Sequence, residues 1–496
     1  MGSSSILLPF ILLFVTIFLA FLHYFFNRRQ PSSSTSVPSL KSYPILGTLP
    51  HVIKNSNRML DWSIELLNAS PTVTVFPLVF TSDPSNVEHI TKSNFSNYPK
   101  SDFLKSSFHD LIGDGIVNVD GEPWKQQRKL KLSSHEFSIG SLRTFVLERV
   151  QHEIQEGLIP LLASASSSGQ VLDLQDVLDR FAFDSICSVV FGYNPNCLSK
   201  KDEEGNRFFH ALNEATDLSI GRAMLPFSAI WKLKKLFNIG SERRLRESLK
   251  IINKIIARFI TSKRVDNESA ESRDFLSQFV KDGTQSNKSL RDMLISFLIA
   301  GRDTTPSALT WFFWILSSRP DIIDNITEEI QSIRNPHKLG GSFTLDSLRD
   351  MNYLHAAISE SLRLYPPVSL QARECRSDDK FPDGTVVKKG WMVMYNTFAM
   401  GRTEKIWGED CEEFRPERWL VDGVFRGRNP FEYPVFHAGP RMCLGKDMAF
   451  IQMKAVAASV LERFEMEVVE ERGEHNVSMA LRMGGGLPVK FVERSR

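Results

Sequence analysis

Cysteine is scarce and scattered. Five occur in 496 residues, at Cys187, Cys197, Cys375, Cys411 and Cys443. The number is odd and no C-x-x-C occurs, which argues against a disulfide framework and a structural zinc cluster and fits a reducing compartment. Charge of one sign is also missing. Sixty basic side chains face 58 acidic ones, for a formal net charge of +2, so the chain has no electrostatic footprint for nucleic acid. No G-x-G-x-x-G lies between a strand and a helix, and there is no P-loop; Gly484-Gly485-Gly486 precedes a strand near the C-terminus. Dinucleotide binding at a βαβ turn is therefore excluded, and electrons for any redox step come from a separate protein. Tyrosine is sparse at 8 residues against 36 phenylalanines, which suits an apolar interior without naming a ligand.

What is present begins with a long apolar run. Ile6 to Phe26 holds 21 residues without Asp, Glu, Lys or Arg, which as a helix spans roughly 30 Å, the thickness of a bilayer core. Nothing basic precedes it and Asn27-Arg28-Arg29 follows, so the pattern reads as a retained anchor rather than a cleaved signal, with the remainder of the chain on the cytosolic side. The expected division is an anchor over residues 1–29, a Pro/Ser-rich linker over 30–50 and one body over 51–496. That body reads as mainly α with a small β part. Helical patterns cover about 123–133, 171–190, 240–263, 289–318, 320–333, 350–364 and 443–464. Strands are expected at 72–79, within 384–395, and at 465–469 and 487–492.

The chemistry-bearing segment is Phe436-His437-Ala438-Gly439-Pro440-Arg441-Met442-Cys443-Leu444-Gly445. Cys443 sits where a loop enters a helix, and the exposed amides and helix dipole there favour a thiolate. The F-x-x-G-x-R-x-C-x-G spacing resembles the cytochrome P450 family. That resemblance implies the P450 fold, haem b (iron protoporphyrin IX) as cofactor, and Cys443 as the iron's axial ligand. In it Phe436 shields the sulfur, Gly439 and Gly445 let backbone approach the macrocycle, and Arg441 pairs with a propionate. A thiolate ligand pushes electron density toward oxygen and favours O–O cleavage.

Three further segments extend the resemblance. Ala300-Gly301-Arg302-Asp303-Thr304-Thr305 lies on the helix expected over 289–318. There the family implies a groove at Gly301, a hydroxyl from Thr304 and a proton-carrying carboxylate from Asp303. Pro306 follows, and an opened or bent helix is expected between Arg302 and Pro306. Glu360 and Arg363 form E-x-x-R, implying a structural network with Arg418. Trp124 and Arg128, at i and i+4, are donors suited to a haem propionate, and Arg373 resembles a further partner.

Several stretches are similar to the plant fatty-acid ω-hydroxylase group: Gly113–Gly121, Ala300–Trp314, Tyr353–Pro367 and Tyr433–Lys454. The implied activity is insertion of one oxygen atom from O2 into an unactivated C–H bond of a lipophilic substrate, with terminal hydroxylation of a fatty acid foremost. A sterol or oxylipin conjugate is the alternative, because Ser369 and Gln371 add polarity. Substrate walls are expected near Phe103–Phe108, Phe208–Thr216, Val368–Leu370 and Leu481–Gly485. The implied partners are NADPH–cytochrome P450 reductase, a lipid-like substrate and the endoplasmic reticulum membrane, entered as a single-pass protein. Lys125, Arg128, Lys129 and Lys131 form a basic face suited to an acidic electron donor. Asp303-Thr304 argues against a relative that rearranges peroxides without a reductase.

Overall fold

In the computed structural model the described residues are Leu40, Tyr43 and 48–494, apart from 56–57, 76–77, 134–138, 201, 226–227, 266–272, 282, 335–341 and 471–472. The elements used below are, in chain order, α1 (Met59–Ala69), β1 (Thr72–Val75), β2 (Leu78–Thr81), α2 (Asp102–Ile112), α3 (Gly121–Ser133), β3 (Val171–Asp173), α4 (Leu174–Phe191), α5 (Glu203–Met224), α6 (Ser228–Phe237), α7 (Ser241–Val265), α8 (Asn287–Leu316), α9 (Pro320–Ile333), α10 (Asn352–Leu364), β4 (Leu370–Glu374), β5 (Met392–Asn396), α11 (Lys446–Arg463), β6 (Phe464–Val468), β7 (His475–Val477), β8 (Leu481–Met483) and β9 (Pro488–Glu493). Helices dominate and strands are few and short, which gives the mainly α fold with a small β part.

Two compact units emerge, each built from separated stretches. The first comprises described residues up to Pro99 with Leu370–Cys411 and Ala438–Arg441; the second comprises Lys100–Ser369, Glu412–His437 and the chain from Met442. The first unit is a sheet of order β1-β2-β5-β4. β1 and β4 run antiparallel to their neighbours, and β2 and β5 run parallel. Alternation along the strands divides its core. Val79 and Val393 pack with Ile90, Tyr98, Phe381 and Trp391, while Val73, Val75 and Phe80 pack with Trp62 and Leu67 from α1.

In the second unit α8 and α4 form the centre. Both are buried around most of their circumference, the mark of core helices. The Ser286 side chain caps α8 by accepting the Ser289 N–H at 3.1 Å. At the α8–α4 contact Gly301 removes an obstacle: a Cβ there would stand 2.8 Å from Ile186 Cδ1. The missing side chain at Gly301 therefore serves close helix packing. Around this pair lie α5 and α7, then α9, α10 and α11. A small sheet of order β6-β9-β3 and the antiparallel hairpin β7–β8 complete the unit.

Two expectations are corrected. The helix does not open at Pro306: α8 is one unbroken α-helix of 30 residues through the proline. Only the bond that its missing N–H would have given to Arg302 is lost, and packing on both sides holds the turn closed. The anchor expected over Ile6–Phe26 lies outside the described residues. Among the described residues no helix is long and apolar enough to cross a membrane. Even α8, the longest of the elements above, carries Lys288, Arg291, Asp292, Arg302 and Asp303, charges that hydrocarbon does not tolerate along one span. The transmembrane helix, the membrane partner and the single-pass endoplasmic-reticulum topology expected from the sequence thus find no support among the described residues.

Candidate active site

The second unit holds a carboxylate with five donors. Glu360 and Arg363 sit three residues apart on α10, and both side chains have 0% exposure. Arg363 Nε donates to Glu360 Oε2 and Arg363 Nη2 to Oε1, each at 2.8 Å. Oε1 also accepts from Arg418 Nε at 2.7 Å and from the Arg415 backbone N–H at 2.9 Å. Oε2 accepts from the Trp419 indole at 2.8 Å. Arg363 Nη2 reaches on to the Glu413 carbonyl at 2.8 Å. Helical spacing makes the first pair legible; Trp419 and the Arg415 amide carry no such signal. The Tyr433 hydroxyl donates to the Ser359 carbonyl at 2.9 Å, and burial pushes its pKa well above the usual phenol value.

That network flanks the cysteine loop in sequence. Cys443 stands three residues before α11, whose N-cap is Gly445. Its N–H donates to the Phe436 carbonyl at 2.8 Å. A Cβ on Gly445 would lie 3.8 Å from Cys443 Sγ. Four cysteines are buried and Cys443 is exposed, so this sulfur is the accessible one of the five. The helix start and the amides before it favour its anionic form. His437 adopts φ +59°, a left-handed value that is rare for a side-chain-bearing residue.

Trp124 and Arg128 come together one turn apart on α3, with the guanidinium 5.8 Å from the indole ring centre. Arg128 Nη1 donates to the Met442 carbonyl at 3.1 Å, so one end of its fork steadies the residue before Cys443. Burial pulls the Arg128 pKa down, and negative charge at Cys443 opposes that pull. Lys125 and Lys129 project outward on the same helix, and Lys125 pairs with Glu122 at 2.6 Å. The side chain of Lys131 lies outside the described residues.

Behind the loop runs a stack of rings that no motif announced. His355 lies between Phe425 and Phe450, with ring centres 3.9 and 4.2 Å away, and Phe450 lies 5.3 Å from Phe436. Burial, reinforced by the charges of Lys454 and Lys446, pushes the His355 pKa down to about 3 from 6.5. Lys454, itself buried, donates to the Met351 carbonyl at 3.2 Å and to the Leu348 carbonyl. The unfolded chain takes up the imidazole proton near pH 6.5, whereas the folded chain refuses it until about pH 3. His355 thus costs no stability above pH 6.5. Below it stability falls by up to about 1.4 kcal/mol per pH unit. In His355→Phe the slope of unfolding free energy against pH between 6 and 4, read from urea titrations, is expected to be shallower by about that amount. An unchanged slope would remove His355 as its source.

The first unit places Gly439, Arg441 and Arg373. Gly439 has φ +64°, and a Cβ would stand 2.1 Å from the Thr91 carbonyl oxygen. The close approach that demands glycine is to this unit's own backbone. Arg373, 6% exposed, lies on the same face of β4 and β5 as Gln371 and Tyr395. Burial raises the Tyr395 pKa while the charges of Arg373 and Arg441 lower it. The Tyr395 hydroxyl and Gln371 Nε2 are buried with no hydrogen-bond partner among the described residues. Arg441 lies with its guanidinium 5.9 Å from the Phe95 ring centre. Two arginines beside an unsatisfied hydroxyl make an anion-accepting patch; only the arginines were legible beforehand.

On the middle of α8, flanked by mostly buried residues, Ala300 is exposed and Thr304 partly so, which makes an opening. The Thr304 hydroxyl donates to the Ala300 carbonyl at 2.8 Å, which leaves its oxygen lone pairs able to accept. Asp303 is 6% exposed. Its Oδ1 accepts from Arg302 Nε at 2.8 Å and from Arg302 Nη2, and Arg302 Nη1 donates to Asn213. Asp303 Oδ2 has no partner among the described residues. Arg302, inside the quoted motif, was the missed functional neighbour. Of the expected walls, Phe208 is core, edge-on to Phe183 at 5.3 Å, and the Ser369 hydroxyl is spent on the Pro366 carbonyl at 3.1 Å.

A family profile described as Cytochrome P450 matches residues 38–488. The chain belongs to the cytochrome P450 family. It is 49% identical over 479 residues to Cytochrome P450 CYP94D108 of Paris polyphylla, covering 95% of this chain and 94% of that protein. It is 42% identical to Cytochrome P450 94A1 of Vicia sativa, covering 92% and 90%. To Cytochrome P450 94B3 of Arabidopsis thaliana it is 41% identical, covering 99% of each. It is thus a plant-type P450 closely related to the 94 group, a haem-thiolate monooxygenase with haem b as cofactor. The residues present fit that group. An exposed sulfur at a helix entry suits an iron ligand, and arginines beside an unsatisfied buried hydroxyl suit the propionates of the P450 haem.

Proposed function

We propose that this P450 hydroxylates the terminal carbon of a fatty acid. The observation that carries the reading is on α8, where the opening at Ala300 and Thr304 adjoins Asp303, whose Oδ2 is buried and unspent. Relatives of the 94 group support it. In this reading Cys443 ligates the iron, Arg373 and Arg441 meet the propionates, and Trp124 and Arg128 add donors from α3. Phe436 and the Phe450 ring keep water from the sulfur, and Gly439 and Gly445 hold the loop's path. Glu360, Arg363 and Arg418 keep the support behind it rigid. Bound haem supplies the oxidation, drawing electrons from NADPH through a reductase. The exposed Lys125 and Lys129 suit an acidic electron donor.

The chain's own part is to position and to move protons. Thr304 presents hydroxyl lone pairs at the opening. Asp303 holds Oδ1 against Arg302 and uses Oδ2 to take a proton and give it up. A sterol side chain or an oxylipin conjugate has one observation in its favour, the partnerless Gln371 Nε2.

The deciding assay incubates the purified protein with a plant reductase and NADPH against fatty acids, hydroxysterols and jasmonoyl conjugates. A terminal alcohol from a fatty acid, with NADPH consumed in step, is the expected product. Turnover of a sterol or conjugate alone would replace the reading. In Asp303→Asn coupled turnover is expected to fall about 100-fold, the usual scale for a lost proton carrier, with substrate binding retained. Unchanged turnover would place the proton elsewhere.

A further inference from the structure

The face of α8 that carries Thr304 is covered one turn further on, and the structure shows what covers it. Ala300, Thr304, Ser307 and Trp311 follow i, i+4, i+7, i+11 spacing. At 3.6 residues per turn their positions fall within an arc of about 60°, so they form one stripe. The stripe is open at Ala300 and Thr304 and closed at Ser307 and Trp311, which are 4% and 0% exposed. What closes it is the backbone of Leu481 in β8. The Leu481 carbonyl accepts from the Ser307 hydroxyl at 2.7 Å and from the Trp311 indole at 3.0 Å. Its N–H donates to the Pro367 carbonyl at 2.8 Å. Trp311 in turn stacks flat on Tyr365, with ring centres 4.3 Å apart and planes 5° apart. The hairpin is tied beyond this point as well. Arg482 pairs with Asp179, and Met483 exchanges two hydrogen bonds with the Gln175 side chain, at 2.9 and 3.0 Å.

We propose that Ser307 and Trp311 are specificity-positioning residues that, by gripping the Leu481 carbonyl, fix the end wall of the substrate channel and so decide which carbon comes to rest beside Thr304. The inference rests on the fatty-acid reading above. Ser307 stands one turn beyond Thr304, about 5 Å along the axis. A wall at that distance admits the end of a chain and stops it, which favours oxidation at the terminal carbon. Release of the wall lets the chain run past and brings in-chain carbons to the same place. Both side chains act through Leu481, so neither need touch substrate.

The test compares Ser307→Ala, Ser307→Thr and Trp311→Phe with the parent, all as reduced, reconstituted holoenzymes with an unaltered ferrous–carbonyl spectrum. Trp311→Phe keeps a ring for Tyr365 and loses the indole donor, so it serves if Ser307→Ala folds poorly. The ratio of terminal to in-chain alcohol is expected to fall about two- to tenfold in Ser307→Ala and Trp311→Phe, the factor set by one lost hydrogen bond. It should return in Ser307→Thr, which restores the hydroxyl. Hydrogen exchange supplies a readout independent of turnover: amides of the β7–β8 hairpin should quicken while those of α4 and α8 hold. An unchanged product ratio alongside faster hairpin exchange overturns the proposal, and so does unchanged exchange. If the parent oxidises no fatty acid, the substrate reading fails first; the ratio is then read on the substrate it does oxidise, and the exchange comparison stands unaltered.

Discussion

Cys443→Ala is expected to abolish the red-shifted Soret band of the ferrous–carbonyl form and, with it, all monooxygenation. The argument is local. Cys443 is exposed at the entry to α11 while the other four cysteines are buried, so it offers the accessible sulfur at a position that favours a thiolate. Losing the iron's ligand also weakens the haem's hold on the fold, so the comparison is made on variant protein whose circular dichroism matches the parent. Cys443→Ser, which keeps the shape and loses the sulfur, should behave alike. Single replacements at Cys187, Cys197, Cys375 and Cys411 should retain the band in whatever protein folds. A red-shifted band surviving in Cys443→Ala would move the ligand to another residue.

The largest expected stability effect belongs to Glu360. Its carboxylate accepts from Arg363, Arg418, Trp419 and the Arg415 amide within a buried cluster. Glu360→Ala leaves two guanidinium groups buried without their anion, a defect that costs about 3–5 kcal/mol. Against the usual 5–15 kcal/mol of total stability that is a severe loss, and the apparent melting temperature should drop by about 3–5 °C, because a chain this long has a large unfolding entropy. Trp419→Phe removes one donor and should cost about 1–3 kcal/mol. Differential scanning calorimetry of the holoenzymes checks both. A drop in Glu360→Ala no larger than in Trp419→Phe would mean that the carboxylate does not anchor the cluster.

Long helices were readable from their apolar period. The pattern over 289–318 corresponds to Asn287–Leu316, and that over 240–263 to Ser241–Val265. Boundaries set by distant partners were not. The helix expected from 171 begins as a strand, Val171–Asp173, because those residues pair with β9 at the far end of the chain. The last helix starts at Lys446 rather than at 443, since Gly445 caps it. The strand expected over 72–79 is a hairpin, β1 with β2.

Within the site, fixed spacing brought out Cys443, Glu360, Arg363 and the Ala300–Thr305 segment. Contacts made by backbone or across sequence left no such trace. Among these are the Arg415 amide, the ring stack around His355, the unsatisfied Tyr395 hydroxyl and the Thr91 carbonyl against Gly439. Pro306 misled for a related reason. Local rules predict an opened or bent helix, but burial on both sides leaves the turn at the freed carbonyl nowhere to open.

The seam between Gly301 and Ile186 has a consequence for how this molecule adapts. A side chain seated where the neighbouring helix has none works like a key in a slot and resists sliding of one helix past the other. The row running from Ala300 to Trp311 is therefore a fixed scale, and accommodation of longer or bulkier guests falls to the segments opposite it. Variation in guest length among close relatives should accordingly map to those segments, while the calibration marks on the long helix stay where they are.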